Sequence, residues 1–280
     1  MLGSFYQDSK GYYLNADNGS QAEIRFSDLE KWTTDNGLRW TAIGLDIEPD
    51  FNEFQALQNH KWRLAWLSIR RYFDFNRVYR ARDAYSALIR EIRTHGYSVQ
   101  TYQLLLLAGE RKAHSTVLER LFGIVNVRGD DEIFMLYTSF TPSMGSAPIW
   151  KLGPDAQGIA IGSTASSGNP QFDAKFPALN WDRFSSDLVV ASYFSPLVGV
   201  YNLEGCIRQG FLPRMETLDW KRPVMIPAKE VYKARRIRIA IATVLWISSN
   251  IPYFVLVIFL IIAWLLLRKG RRKKISVLPV

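Results

Sequence analysis

Cysteine is almost absent from this chain, since Cys206 is the only one in 280 residues. An intrachain disulfide is therefore excluded, and a lone cysteine is most often a small core residue. Histidine is nearly as scarce: His60, His95 and His114 are the three present, they show no metal-ligand spacing, and neither a metal nor any other cofactor is expected. No P-loop, no GxGxxG after a strand and no GxSxG occurs, which removes three common signatures of phosphate, dinucleotide and acyl chemistry. Gly158, Gly162 and Gly168 are too loosely spaced to cradle phosphate. The first twenty residues lack the basic start and apolar stretch of a signal peptide.

Acidic charge is also in deficit, but only locally. The net charge of +9 gathers around one hydrophobic segment, with Lys229, Lys233, Arg235, Arg236 and Arg238 before it and Arg268, Lys269, Arg271, Arg272, Lys273 and Lys274 after it. Residues 1–228 are nearly neutral, so the basic balance is not a nucleic-acid footprint. The expected acidic partner is the lipid headgroup, and the lipid bilayer is the first partner the sequence names. Charge is wholly missing from Ile239 to Leu267. As a helix this stretch is about 43 Å long against a hydrocarbon core of about 30 Å, enough to span once and not twice. Asn250 and Pro252 predict a kink, or an embedded part shifted toward the C-terminal half. The helix is expected to begin near Ala228, and the basic tail, with one more base than the near side, slightly favours a cytoplasmic C-terminus with the large domain outside.

What the chain does contain is centred on Thr41–Asp50, TAIGLDIEPD, where an apolar run ends in Asp46, Glu48 and Asp50. Its length and composition predict a buried parallel strand, and period-two alternation puts Ala42, Gly44, Asp46 and Glu48 on one face, with Ile43, Leu45 and Ile47 on the other. Small and acidic residues then face a barrel axis while branched ones pack under helices, with the acids at the C-terminal end where such barrels keep their active sites. Helices are predicted over 21–36, 52–72, 75–95, 109–122 and 181–193, the last capped by Asn180. Four more strands are predicted over 97–105, 132–140, 157–165 and 197–203, with Ala160 and Gly162 again small on the inner face.

Strands alternating with helices give an α/β class, and the reading is a partial (β/α) TIM-like barrel over residues 1–225. A basic helix (226–238), a transmembrane helix (239–267) and a basic tail (268–280) follow. Five strands are visible where a closed barrel needs eight, so three βα units are expected to be missing from the front. The alternative is an open five-stranded α/β sheet.

Leu45-Asp46-Ile47-Glu48 resembles the last part of the D-x-D-x-E signature that ends the fourth strand of TIM-barrel glycoside hydrolases of the chitinase-like family 18. Met135-Leu136-Tyr137 resembles that family's later Met-x-Tyr-Asp, in the same order along the chain. The resemblance implies Glu48 as the general acid at the glycosidic oxygen, and Asp46 as the group that raises its pKa and orients a 2-acetamido sugar. It further implies Tyr137 as the hydrogen-bond donor to the acetamido oxygen as that oxygen attacks the anomeric carbon, in place of an enzyme nucleophile. Gly44 stands where the family has its middle Asp, Thr138 where Asp follows the Tyr, and no Trp is seen in the last strand. Trp40, Tyr102 and Tyr201 are candidates to stack on sugar faces, and Asp50, Gln103 and Glu204 join them as candidate substrate-binding residues. In other retaining barrel families the pair would be Glu48 with a later acid such as Glu204. The expected activity is cleavage of a glycan; the alternative is a membrane-tethered module that binds a glycan or protein without turnover, or in which Asp46 and Glu48 are loop and capping acids.

Overall fold

Five short runs rich in Ile, Val and Phe assemble into one parallel sheet. The computed structural model describes residues 13–49, 61–166, 168 and 170–275. In chain order the elements are α1 (Gly19–Asp35), β1 (Ala42–Asp46), α2 (Lys61–Tyr72), α3 (Phe75–Thr94), β2 (Ser98–Leu104), α4 (Leu105–Lys112), α5 (Val117–Phe122), β3 (Asp131–Met135), α6 (Ala147–Leu152), β4 (Gly158–Gly162), α7 (Pro170–Lys175), α8 (Trp181–Ser192), β5 (Leu197–Tyr201), α9 (Leu203–Arg208), α10 (Phe211–Glu216) and α11 (Ala228–Ile275).

The strand order is simply β1-β2-β3-β4-β5. A doubly wound sheet reverses its order at a switch point and carries helices on both faces. Here the order never reverses and the principal helices lie on one side, so the sheet is a half-barrel. Its register is staggered as a barrel's must be: Asp131 of β3 pairs with Gln100, the third residue of β2, and Gly158 of β4 pairs with Ile133, the third of β3. On the free edge of β1, Leu14 makes a parallel bridge to Ile47, and the Glu48 N–H donates to the Leu14 carbonyl at 2.9 Å.

The helix-facing side holds the core. Ile43, Leu45 and Ile47 pack with Phe26 of α1 and with Ala81, Tyr85, Leu88 and Ile92 of α3. Phe134, Leu136, Ile159 and Ile161 pack with Ile149 of α6 and Phe184 and Leu188 of α8. Each such aliphatic side chain removed from water contributes about 1.5–3 kcal/mol, which fixes the register, since a one-residue slip would turn every one of them to the other face. The opposite side carries a smaller cluster: Ile133, Met135 and Ala160, with Tyr102, Leu104, Tyr137 and Leu197 partly buried around them.

The strands end earlier than the sequence predicts; β3 stops at Met135, and Thr138–Phe140 forms a 3-10 turn instead. The helix expected over 109–122 is two, broken at His114 with φ +49°. Glu110 of α4 causes the break by capping α5: its carboxylate accepts from the N–H groups of Leu118 and Glu119 at 2.7 and 3.2 Å.

α11 is one continuous helix from Ala228. Its first part lies on the domain: Arg238 pairs with Asp155 at 2.5 Å, and Leu245 is buried with Ala113 and Val117. The Tyr72 hydroxyl donates to the Ser248 carbonyl. That carbonyl is the one freed by Pro252, which stands four residues on and has no N–H to return to it. Beyond Ser248 the side chains from Ile251 to Leu266 are apolar and largely exposed. By length and hydropathy this is a candidate membrane span, consistent with a single-pass membrane protein.

Candidate site of carboxylates and tyrosines at the strand ends

Alternation in β1 delivers Asp46 to the inner side at its C-terminal end, and the extended chain after it brings Glu48 to the same side two residues on. Asp46 stands level with Tyr102 of β2 in the register. It is 8% exposed, and its Oδ1 has no hydrogen-bond partner among the described residues. Burial pushes its carboxyl up to about 6. Burial, and then the Asp46 charge beside it, pushes Glu48 up to about 8. Glu48 is thus kept protonated near neutrality, beside a second acid whose carboxyl is itself raised.

Tyrosines complete the neighbourhood. Tyr137, two residues past the end of β3, stacks on Tyr201 at the end of β5, with ring centroids 5.4 Å apart and planes 20° from parallel. Its hydroxyl is held above the ordinary tyrosine range by burial first and then by the fields of Asp46, Glu48, Tyr201 and Tyr102. Tyr102 is raised by burial and then by Asp46. Five candidates from four separate parts of the chain therefore share one electrostatic environment. Phe140 meets Tyr137 edge-on at 5.8 Å and leads to Phe172 and Phe176, an aromatic wall beside the tyrosine pair.

The loops beneath are laced together. The Ser163 N–H donates to Ser139 Oγ at 2.7 Å, Thr164 Oγ1 donates to the Asn202 carbonyl at 2.7 Å, and the Thr164 N–H donates to the Tyr201 carbonyl at 2.9 Å. Gly162 has to be glycine here, because a Cβ would lie 2.5 Å from the Tyr201 carbonyl oxygen.

Three residues are placed elsewhere. Gln103 follows Tyr102 and so points to the opposite side, where its Nε2 donates to the Val127 carbonyl at 3.0 Å beneath the helix layer. Glu204 is exposed on α9 and paired with Arg208 at 2.7 Å. Trp40 precedes β1 at the other end of the sheet, stacked on Trp32 at 6.3 Å, with its indole N–H on Thr33 Oγ1. Asp50 lies outside the described residues, as does His60.

One participant is not apparent from motif spacing. Asp187, on the buried side of α8, accepts from the hydroxyl of Thr138, the residue after Tyr137. Burial raises its carboxyl to about 6, while the Thr138 hydrogen bond and Arg183 pull it down. The signal lay in the helical spacing, which puts Asp187 with Phe184, Leu188 and Ala191 on the apolar stripe. An acid there needs a partner, and Thr138 supplies it.

Among the described residues no group of three or more His, Cys, Asp or Glu side chains is arranged to hold a metal ion. Comparison with family models, with curated proteins and with solved structures finds no match to this chain.

Proposed function

We propose that the domain is a membrane-anchored glycoside hydrolase of the substrate-assisted kind, acting on glycans that carry 2-acetamido sugars. The observation that carries this reading is a carboxyl, Glu48, pushed up to about 8 at the C-terminal end of a half-barrel, beside a second acid and a stacked tyrosine pair. A general acid has to be protonated at working pH and aimed at a leaving oxygen, and burial beside Asp46 meets the first requirement. In the reaction, the acetamido carbonyl oxygen attacks the anomeric carbon as the C–O bond to the leaving sugar breaks, and the Glu48 proton passes to the departing oxygen. Tyr137 donates a hydrogen bond that orients the attacking carbonyl, and Asp46 receives the acetamido N–H. Water then opens the oxazolinium intermediate while the ionised Glu48 takes its proton back, which returns the site to its starting state. Tyr201 and Tyr102 offer the apolar faces on which pyranose rings stack.

One observation favours a second reading, a tethered glycan-binding module without turnover. Thr138, at the position where the resembled motif carries an acid, turns into the helix layer to bond Asp187, so no third carboxyl backs Asp46 from this loop. Both readings place the domain on the outer side of the membrane. A membrane-impermeant chromogenic chito-oligosaccharide given to cells carrying the full chain separates them. Cleavage that falls at least about 100-fold in Glu48→Gln, with the variant's circular dichroism unchanged, is expected. Binding without cleavage selects the module, and cleavage seen only after permeabilisation reverses the orientation.

A further inference from the structure

Among the described residues, an apolar stripe lies open to solvent along α2 and the residue that follows it. Trp66, Ile69 and Phe73, at positions i, i+3 and i+7, are 70%, 56% and 66% exposed. A soluble helix turns that stripe inward; here the inward side, with Tyr72, packs on α5, and the stripe faces out. Arg70 is exposed on the same helix.

The location of this stripe says what covers it. The last residue of α2, Tyr72, is bonded to the Ser248 carbonyl, at the point where α11 leaves the domain. Trp246, two residues before that point on α11, and Trp264 are separated by about 27 Å of helix at 1.5 Å per residue, close to the thickness of a hydrocarbon core, and tryptophans favour its two boundaries. Trp246 therefore marks a membrane boundary, and Tyr72 ties the end of α2 to that level. Pro252 favours this tie, because it leaves the Ser248 carbonyl without its ladder partner and so with the Tyr72 hydroxyl as a replacement donor.

We propose that α2 is a second membrane contact. Trp66, Ile69 and Phe73 enter the interfacial layer of the same bilayer that α11 spans, with Arg70 among the anionic headgroups. The domain is then held at two points and lies against the membrane in one orientation. The proposal rests on α11 spanning the bilayer, and its test separates the two.

The full chain is reconstituted in anionic vesicles with or without brominated acyl chains. An environment-sensitive fluorophore is placed at Ile69→Cys, at Val257→Cys in the span, or at Ile24→Cys, an exposed position on α1. The native Cys206 is buried and stays in place. Bromine quenching at 69 that reaches at least about half of that at 257, with none at 24, is the expected result. Quenching at 257 but not at 69 overturns the second contact and leaves the span intact. No quenching at 257 overturns the span and the proposal with it, and equal quenching at 24 and 69 overturns it as unselective adsorption. A fluorophore at 69 that is dehydrated but unquenched, in proportion to the protein-to-lipid ratio, assigns the stripe to a second copy of the chain and also overturns it.

Discussion

The two sides of the sheet are built to opposite rules. On the helix-covered side the buried acids are answered: Glu132 takes both ends of the Arg111 guanidinium, Glu119 is paired with Arg82, Asp187 holds Thr138, and Glu110 caps α5. On the other side Asp46 is buried and Glu48 half-buried beside it, and neither forms an ion pair with another of the described residues. The difference teaches where free energy is stored. One side stabilises the fold, and the other tolerates a cost that a structural acid would have shed by pairing.

The largest effect belongs to the helix side. Phe184→Ala empties the place of a fully buried ring stacked on Phe211 at 4.9 Å, and should cost about 3–5 kcal/mol in urea unfolding without moving the site's pH dependence. A change in that dependence would mean that the two sides are not independent.

Next comes an effect of opposite sign on the site side. Asp46 and Glu48 are raised above their unfolded values of 3.8 and 4.5, so the folded chain keeps protons that the unfolded chain has released. Stability should then fall as pH rises from about 4 toward about 8, by on the order of a few kcal/mol, and Glu48→Gln should remove most of that slope and stabilise the domain at the alkaline end. A flat profile in the parent chain would show that the two acids are solvated or paired. Smallest is Asp187→Ala, which strands the Thr138 hydroxyl and should cost about 1–2 kcal/mol in the same unfolding assay, while the conservative Asp187→Asn recovers most of it by still accepting the bond.

Much of this could be read from the residues because it depends on local pattern. The alternation of TAIGLDIE puts Asp46 and Glu48 on the side opposite Ile43, Leu45 and Ile47, as the structure has them, Asn180 and Ala228 mark helix starts that the structure keeps, and the 29 uncharged residues stand out unaided. What escaped depends on partners distant in sequence. Gln103, a candidate substrate-binding residue by sequence, neighbours Tyr102 on β2 and so faces away from it, onto the Val127 carbonyl. The break at His114 came from the Glu110 cap, which periodicity does not see. The stacking of Tyr137 on Tyr201 joins residues of non-adjacent strands, and no window along the chain contains both.

α11 runs without interruption from the flank of the domain into its apolar half. A domain on a flexible linker sweeps a volume to find its targets. A domain fixed to a stiff helix sweeps almost nothing: its reach is set by construction, and whatever it meets has to be presented at one height and one angle. It loses the freedom to search, and in exchange the orientation that a stalked protein would have to find at each encounter is already in place.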